Sequence, residues 1–204
     1  MPIRSILKFS RRYIIALMLT APLEAALAAP DQPAQPATQE TTGDAQKINH
    51  LLVLIDQRLS IADDVAKAKW NAGMIVDDPE REKQQLASIS AKATAMGVTN
   101  IALVDVFFQN QFEASKIIQT RSIMHWHSVY PADFKFKDAP DLMDDVRPKL
   151  DKLTPELIAA LQEVQPLLSQ PAMRTYLLTQ AKQLIRNDVN GEARHTALLT
   201  FESE

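Results

Sequence analysis

The chain has 204 residues, of which 46% are hydrophobic and 23% charged, with 4 Gly, 12 Pro and no Cys. This composition is typical of a globular protein and excludes collagenous, low-complexity and largely disordered chains. The lack of Cys excludes disulfides, thiol nucleophiles and thiolate metal sites. Because the formal charge is −3, no basic surplus is available for a phosphate backbone, and we expect no nucleic-acid partner.

Residues 1–28 have the pattern of a cleavable secretory signal peptide. Arg4 and three further basic residues precede the apolar run 13–19, and the segment ends in Ala26-Leu27-Ala28, a small-x-small cleavage site. The apolar run is too short to be a membrane anchor, which needs roughly 20 residues. We therefore predict export, cleavage after residue 28, a periplasmic or secreted mature protein and no membrane contact after cleavage.

Residues 29–45 separate this signal from the rest of the chain. The segment is rich in Pro, Ala, Gln and Thr and contains no large apolar residue. It has nothing to bury in a core, so we predict a flexible leader.

Residues 46–127 are predicted to form a domain of three long helices. Apolar residues lie three and four positions apart from about Gln46 to Asn71, which indicates an amphipathic helix. Asp78-Pro79-Glu80 is a strong start signal for a second helix that extends to about Met96. Gly97 ends it, and a third helix extends towards Trp126. The predicted fold class is all-α, a helical bundle.

The first predicted helix places two cations among its apolar residues. Arg58 and Lys69 fall within the apolar stripe and lie about three turns apart, which separates their Cα atoms by roughly 16 Å on one face. Two long cationic side chains that extend towards each other along this face would leave space for a small dianion.

The next two helices also direct polar side chains towards the interior. On the second helix, Glu82 and Gln85 lie near the direction of an apolar residue, with Arg81 at the flank. On the third helix, four polar residues share the core face: Gln111, Ser115, Gln119 and Ser122. A satisfied polar network would explain one such residue. Three inward-facing cations, with Glu82 and Asp78 as candidate counter-charges, favour an anionic ligand instead.

The ordered set of these motifs resembles the AroQ-type chorismate mutases, over about Ile48 to Gln119. The matching segments are Leu54-Ile-Asp-Gln-Arg58-Leu59, Val65-Ala-Lys-Ala-Lys69-Trp70, Asp78-Pro-Glu-Arg81-Glu82-x-x-Gln85 and Phe107-Phe108-Gln-Asn-Gln111-Phe-Glu-Ala-Ser115-Lys-Ile-Ile-Gln119. The export signal and the C-terminal extension are similar to those of the secreted gamma subclass. The resemblance implies an all-α homodimer that converts chorismate to prephenate by a [3,3] rearrangement, with no cofactor and no metal.

The same resemblance implies roles for residues of the three helices. Arg58 and Arg81 match carboxylate binders, and Lys69 matches the residue that binds a carboxylate and the ether oxygen of the substrate. Gln119 matches a second donor to that oxygen, and Ser115 matches a polar contact to a carboxylate.

Further matches concern the ring hydroxyl and the second half of the chain. Glu82, or alternatively Gln85, resembles the residue that contacts the hydroxyl, and Asp78 matches a position that supports Lys69. In the gamma subclass an arginine of the C-terminal half completes the site, and Arg147 is the best match. We therefore predict that the extension 128–204 completes the site.

The extension itself is predicted to be helical after a loop at residues 128–137. Helix resumes at Asp141, and Thr154-Pro155-Glu156 is a start signal for another helix. A further helix is expected from Pro171 to about Asp188, with Gly191 after its end. The segment from His195 to the end gives no clear pattern.

Two other functions remain open at this stage. Isochorismate-pyruvate lyase is built on the same scaffold, although the extension favours the mutase. A non-enzymatic periplasmic helical module that binds an anion is the second alternative. A metal site at His125 and His127 is disfavoured, because residues two apart on a helix point about 200° away from each other.

Overall fold

A computed structural model describes residues 36–188 and 190–202, and side chains from Thr42 onward. These residues contain helices and loops and no β-strand. The helices are α1 (Pro36–Ala72), α2 (Pro79–Ala95), α3 (Ile101–Val129), α4 (Arg147–Val164), α5 (Pro171–Leu184) and α6 (Glu192–Leu198). The all-α prediction is therefore confirmed.

Helix α1 begins earlier than the sequence indicates. The predicted flexible leader ends at residue 45, but the segment from Pro36 onward is already helical. Once the buried residues from Ile48 onward fix the helix, each residue added to it gains a backbone hydrogen bond without a new nucleation step, so the helix extends outward from the core. The predicted signal peptide 1–28 and the first part of the leader lie outside the described residues.

The first three helices occur in the predicted order. Each has its C-terminal end close to the residue that the sequence indicates. Helix α1 ends next to Gly73, whose φ of 65° suits glycine, and Asp78 caps α2 with Pro79 in the first turn. Gly97, with φ of 82°, follows α2. The chain then starts α3 with Asn100 as its side-chain cap.

Helices α1 and α3 are the centre of the bundle. Helix α1 packs against α3, α4 and α5, while α3 also packs against α2 and α6. Most of the apolar stripe of α1 is buried in this core, together with Phe107 and Phe108 of α3 and Leu157 of α4. The C-terminal half thus covers the faces of α1 and α3 that the short helix α2 leaves open.

The predicted helix start at Thr154-Pro155 is wrong. One π-helical turn, Leu142–Val146, leads directly into α4, which continues through Pro155 to Val164. Proline inside a helix costs about 3 kcal/mol. Leu153 and Leu157 are buried on both sides of it, and this packing keeps the helix continuous.

The segment that gave no clear pattern also folds. Gly191, with φ of 79°, precedes α6, and a 3₁₀ turn, Leu199–Phe201, follows it. Phe201 is buried with its ring centroid 5.9 Å from that of Phe107. No helix in the described ranges is both long and apolar enough to span a membrane.

Candidate active site

A cavity of about 110 Å³ lies between α1, α2, α3 and the start of α4. All nine residues that the sequence predicts for the site line it: Arg58, Lys69, Asp78, Arg81, Glu82, Gln85, Ser115, Gln119 and Arg147. Apolar residues complete the walls, among them Val65, Phe112 and Leu150. The structure therefore brings together side chains from four helices that are up to 89 positions apart in the sequence.

Arg58 is the most deeply buried cation of the cavity. Its side chain projects from the core face of α1, and only 8% of the residue is exposed. Its Cζ lies 5.3 Å from the centroid of the Phe112 ring, while its Nε is buried and has no hydrogen-bond partner within the described part of the chain. Burial lowers the pKa of Arg58 to about 10. A desolvated guanidinium with an unused donor is suited to bind an anion.

Lys69 lies in the last turn of α1, and its orientation depends on the loop that follows. Its Nζ donates a hydrogen bond of 2.6 Å to the carbonyl oxygen of Val76. Burial, followed by the positive charge of Arg81, lowers the pKa of the Lys69 ammonium. The loop thus holds the ammonium at the cavity through a neutral carbonyl oxygen. No carboxylate of the described residues forms an ion pair with it.

Asp78 caps the start of α2, as the sequence predicts. Its Oδ1 accepts a 3.2 Å hydrogen bond from the backbone N–H of Arg81, which caps the helix. The ammonium of Lys69 bonds to Val76 and not to Asp78. The Asp78 charge is nevertheless close enough to oppose the lowering of the Lys69 pKa.

Arg81 and Arg147 face the cavity from two different helices. Burial and then the charge of Arg147 lower the pKa of Arg81, which indicates that the two guanidinium groups are near each other. Arg147 is the first residue of α4 and directly follows the π-helical turn. Asp141 caps that turn by accepting hydrogen bonds from Met143 and Asp144. Like charges brought together in this way are stabilised when an anion lies between them.

Ser115 and Gln119 lie one turn apart on the core face of α3. Gln119 is only 5% exposed, its Nε2 donates to Ser115 Oγ at 2.9 Å, and its Oε1 is buried without a partner among the described residues. Turning the amide over would let the Ser115 hydroxyl donate to Oε1 and would free Nε2 as a donor to the cavity. This pair can therefore supply a neutral hydrogen-bond donor.

Lys116 also lines the cavity, although it was not among the site residues predicted from the sequence. Its Nζ contacts Glu113, Glu82 and Asp77. Lys116 lies roughly 80° from Phe108 around α3, at the flank of the apolar stripe. Arg81 has a similar flanking position on α2, so the same criterion could have found Lys116.

Two residues grouped with the site by their helix face do not belong to it. Gln111 is fully buried, but its Nε2 donates to the carbonyl oxygen of Ala197 in α6, 2.8 Å away. Ser122 donates to Asp63 at 2.6 Å. The core face of α3 is longer than the cavity, so its two ends contact other elements.

His127, near the end of α3, packs against an aromatic ring. The ring of His127 lies 4.6 Å from the centroid of Trp70. Throughout the described residues, no group of three or more His, Asp or Glu side chains could hold a metal ion.

The chain is similar to proteins of one known family. The model of the family "Chorismate mutase type II" matches residues 49–120. The secreted chorismate mutase of Mycolicibacterium smegmatis is 32% identical over 134 residues, which are 66% of this chain and 72% of that protein.

Solved structures give the same result. The chorismate mutase of Burkholderia thailandensis superposes with a TM-score of 0.68 and 36% identity, over 76% of this chain and 98% of that one. The chorismate mutase of Burkholderia phymatum has a TM-score of 0.65 and 28% identity, over 78% and 98% of the two chains. The chain belongs to the type II chorismate mutases, the AroQ class.

Proposed function

We propose that this cavity is the site where chorismate rearranges to prephenate, and that each chain carries a complete site. The observation that supports the proposal is the surplus of positive charge in one enclosed space. Arg58, Lys69, Arg81 and Arg147 line the cavity, while the nearby Glu82 is paired with Lys116. Burying unpaired charges is costly, so a dianionic substrate is the natural counter-charge.

The three arginines would bind the two carboxylates of chorismate. A guanidinium presents two parallel N–H donors to a carboxylate and so fixes direction as well as distance. Arg58 approaches from α1, and Arg81 and Arg147 approach together from α2 and α4. Ser115 adds a hydroxyl contact to a carboxylate. Clamping both ends holds the flexible substrate in its compact reactive conformation and removes much of the entropic part of the barrier.

Lys69 and Gln119 would stabilise the transition state. As the carbon–oxygen bond breaks and the new carbon–carbon bond forms, negative charge grows on the ether oxygen. The Lys69 ammonium and the Gln119 Nε2 are donors in a partly dry site, where such contacts are stronger in the transition state than in the ground state. The rearrangement is intramolecular, so it needs no nucleophile and no net proton transfer. Asp78 would support this arrangement by fixing Arg81 and by favouring the charged form of Lys69.

Glu82 is the better candidate for the ring hydroxyl, with Gln85 as the alternative. A carboxylate oxygen is a strong acceptor for a hydroxyl donor, and both side chains line the cavity. The isochorismate-pyruvate lyase and anion-binding alternatives are not favoured by the comparisons.

We also propose that the protein is exported, with its signal removed after residue 28, and acts as a homodimer in the periplasm or outside the cell. Relatives named secreted chorismate mutases support export. Because Arg147 of the same chain lines the cavity, the dimer would not need to exchange an arginine between subunits. Light scattering and N-terminal sequencing of the exported protein test these two points.

The central experiment is an activity assay of the purified, exported protein with chorismate. We expect chorismate to disappear and acid treatment to convert the product to phenylpyruvate. Lys69→Ala is expected to lower kcat/KM by about 100-fold or more, since a preorganised donor to a developing charge contributes on the order of 3 kcal/mol.

Lys67→Ala is the matched control for this variant. Lys67 lies on the same helix, but its ammonium pairs with the exposed Asp138 outside the cavity. We expect it to retain nearly full activity. Intact chorismate with wild-type protein would contradict the proposal, and pyruvate release from isochorismate would then identify the lyase.

A further inference from the structure

Lys116 has more ionic contacts than any site residue predicted from the sequence. Its Nζ lies 2.9 Å from Glu113 Oε1, 3.3 Å from Glu82 Oε2 and 3.3 Å from Asp77 Oδ1. The Lys116 side chain is 19% exposed. Although burial by itself would lower the pKa of Lys116, the hydrogen bonds that its ammonium donates to Glu113 and Glu82 outweigh it and raise that pKa. The ammonium therefore stays charged and fixed in place.

The three carboxylates around Lys116 do not contribute equally. The Asp77 side chain is 73% exposed and that of Glu113 is 44% exposed, so water screens both contacts. The Glu82 side chain is 19% exposed and faces the cavity. The Lys116–Glu82 pair is thus the least screened of the three, and Glu113, one turn earlier on α3, orients the lysine for it.

The pairing decides what Glu82 can do in the cavity. A carboxylate without a counter-charge at the wall of the cavity would repel a dianionic substrate. Lys116 compensates that charge and donates its hydrogen bond to Oε2, while Oε1 accepts no hydrogen bond within the part of the chain that the structure describes. One oxygen is held, and the other remains an acceptor at the cavity.

We propose that Lys116 is a positioning residue for substrate specificity: it holds the Glu82 carboxylate so that Oε1 accepts a hydrogen bond from the ring hydroxyl of the substrate. The inference rests on the proposed function and deepens it. Lys116 does not touch the substrate. Its effect is to make the site prefer a dianion that carries a hydroxyl at this point over one that lacks it.

The test compares two substrates, chorismate and an analogue without the ring hydroxyl, in Lys116→Met and wild-type enzyme. We expect Lys116→Met to lower kcat/KM for chorismate by about tenfold, largely through KM, and for the analogue by only about threefold, since the uncompensated Glu82 repels both dianions but the analogue has no hydroxyl contact to lose. Lys116→Arg, which keeps the charge and the donors, is expected to restore the preference for chorismate. Lys83→Met removes the same charge from an exposed position on α2 and should change neither value.

A double-mutant cycle separates positioning from a structural role. In a Glu82→Gln background, Lys116→Met should cause less than a twofold further loss, because its only route to the hydroxyl is already gone. Equal losses on both substrates, or the same tenfold loss in the Glu82→Gln background, would overturn the proposal. Glu82→Gln alone also tests it with Lys116 still present, since an unchanged preference would assign the hydroxyl to Gln85. A wild-type enzyme that does not convert chorismate would instead contradict the proposed function.

Discussion

Arg58 on α1 and Lys116 on α3 are both cations of the same cavity, but they differ in their partners. Arg58 has a buried Nε with no partner among the described residues, whereas Lys116 contacts three carboxylates. The unpaired charge is available to a ligand, and the paired charge can only orient its neighbours. Burial of a cation therefore does not by itself identify a ligand contact, because the carboxylates around it decide its role.

Gln119, on the cavity wall formed by α3, gives a second comparison. It offers a neutral hydrogen-bond donor, whereas Arg58 and Lys116 are charged. Gln119→Glu should lower kcat/KM at neutral pH by about 100-fold or more, because an ionised glutamate cannot donate to the ether oxygen. Activity should recover as the pH is lowered and the carboxyl group is protonated. The wild-type enzyme should change little from mildly acidic to neutral pH.

A pH series of kcat/KM for both enzymes checks this. Gln57→Glu, at an exposed position of α1 outside the cavity lining, is the control and should keep the wild-type profile. A steep fall of wild-type activity between mildly acidic and neutral pH would remove Gln119 from the proposed mechanism.

Arg58→Met tests whether the unpaired cation serves function at the expense of stability. We expect kcat/KM to fall by roughly 30-fold to 100-fold, because a carboxylate loses its charged partner. The free energy of unfolding should stay level or rise by about 1 kcal/mol, since a desolvated charge is replaced by an apolar side chain that still contacts Phe112.

Chemical denaturation together with steady-state kinetics measures both quantities. Arg58→Lys keeps the charge and should lie between the two enzymes in activity. A large loss of stability in Arg58→Met would mean that Arg58 has structural partners, contrary to the contrast with Lys116.

The alkaline side of the pH profile should depend on Lys69. Burial and Arg81 lower its pKa below the ordinary 10.5, so the free enzyme loses the ammonium as the pH rises through that lowered value. We expect kcat/KM to fall there by about tenfold per pH unit. The fall in kcat should occur at higher pH, because the bound dianion favours the charged form.

Lys69→Arg provides the comparison, since the ordinary pKa of a guanidinium, 12.5, is higher than the 10.5 of an ammonium, and burial lowers both. It should move the alkaline fall to higher pH whatever its effect on the rate. An unchanged position would show that another group controls this limb.

The smallest expected effect concerns the loop that leads to Arg147. Asn71, at the end of α1, accepts a hydrogen bond from the Phe136 N–H at 2.9 Å and donates one to its carbonyl oxygen at 2.7 Å. Asn71→Ala should lower the free energy of unfolding by about 1–2 kcal/mol. We expect KM to rise less than threefold, because this loop positions the segment that precedes Arg147.

Thermal unfolding and KM together check this expectation. Asn49→Ala is the control, since Asn49 bonds the hydroxyl of Tyr176 on α5, away from the cavity. It should lower stability without changing KM. A KM change of similar size in both variants would mean that the effect is global.

The amino-acid sequence by itself determined the all-α class, the ends of α2 and all the polar residues that line the cavity except Lys116. Helical periodicity shows which side chains share a face of one helix. The resemblance to a known family assigns side chains of different helices to one site. Arg58, Lys69 and Gln119 could be found because each is polar where its own helix is otherwise apolar, a signal that lies within one element.

Only the tertiary structure decided the partners of those residues. Nothing in the sequence spacing joins Lys116 to Glu82, because the two lie on different helices and their distance depends on how α2 packs against α3. The same holds for Gln111, whose polar position on α3 predicted a site role until α6 supplied its acceptor. Periodicity assigns a face, but the element that packs on that face determines whether a charge meets a carboxylate, a carbonyl oxygen or a substrate.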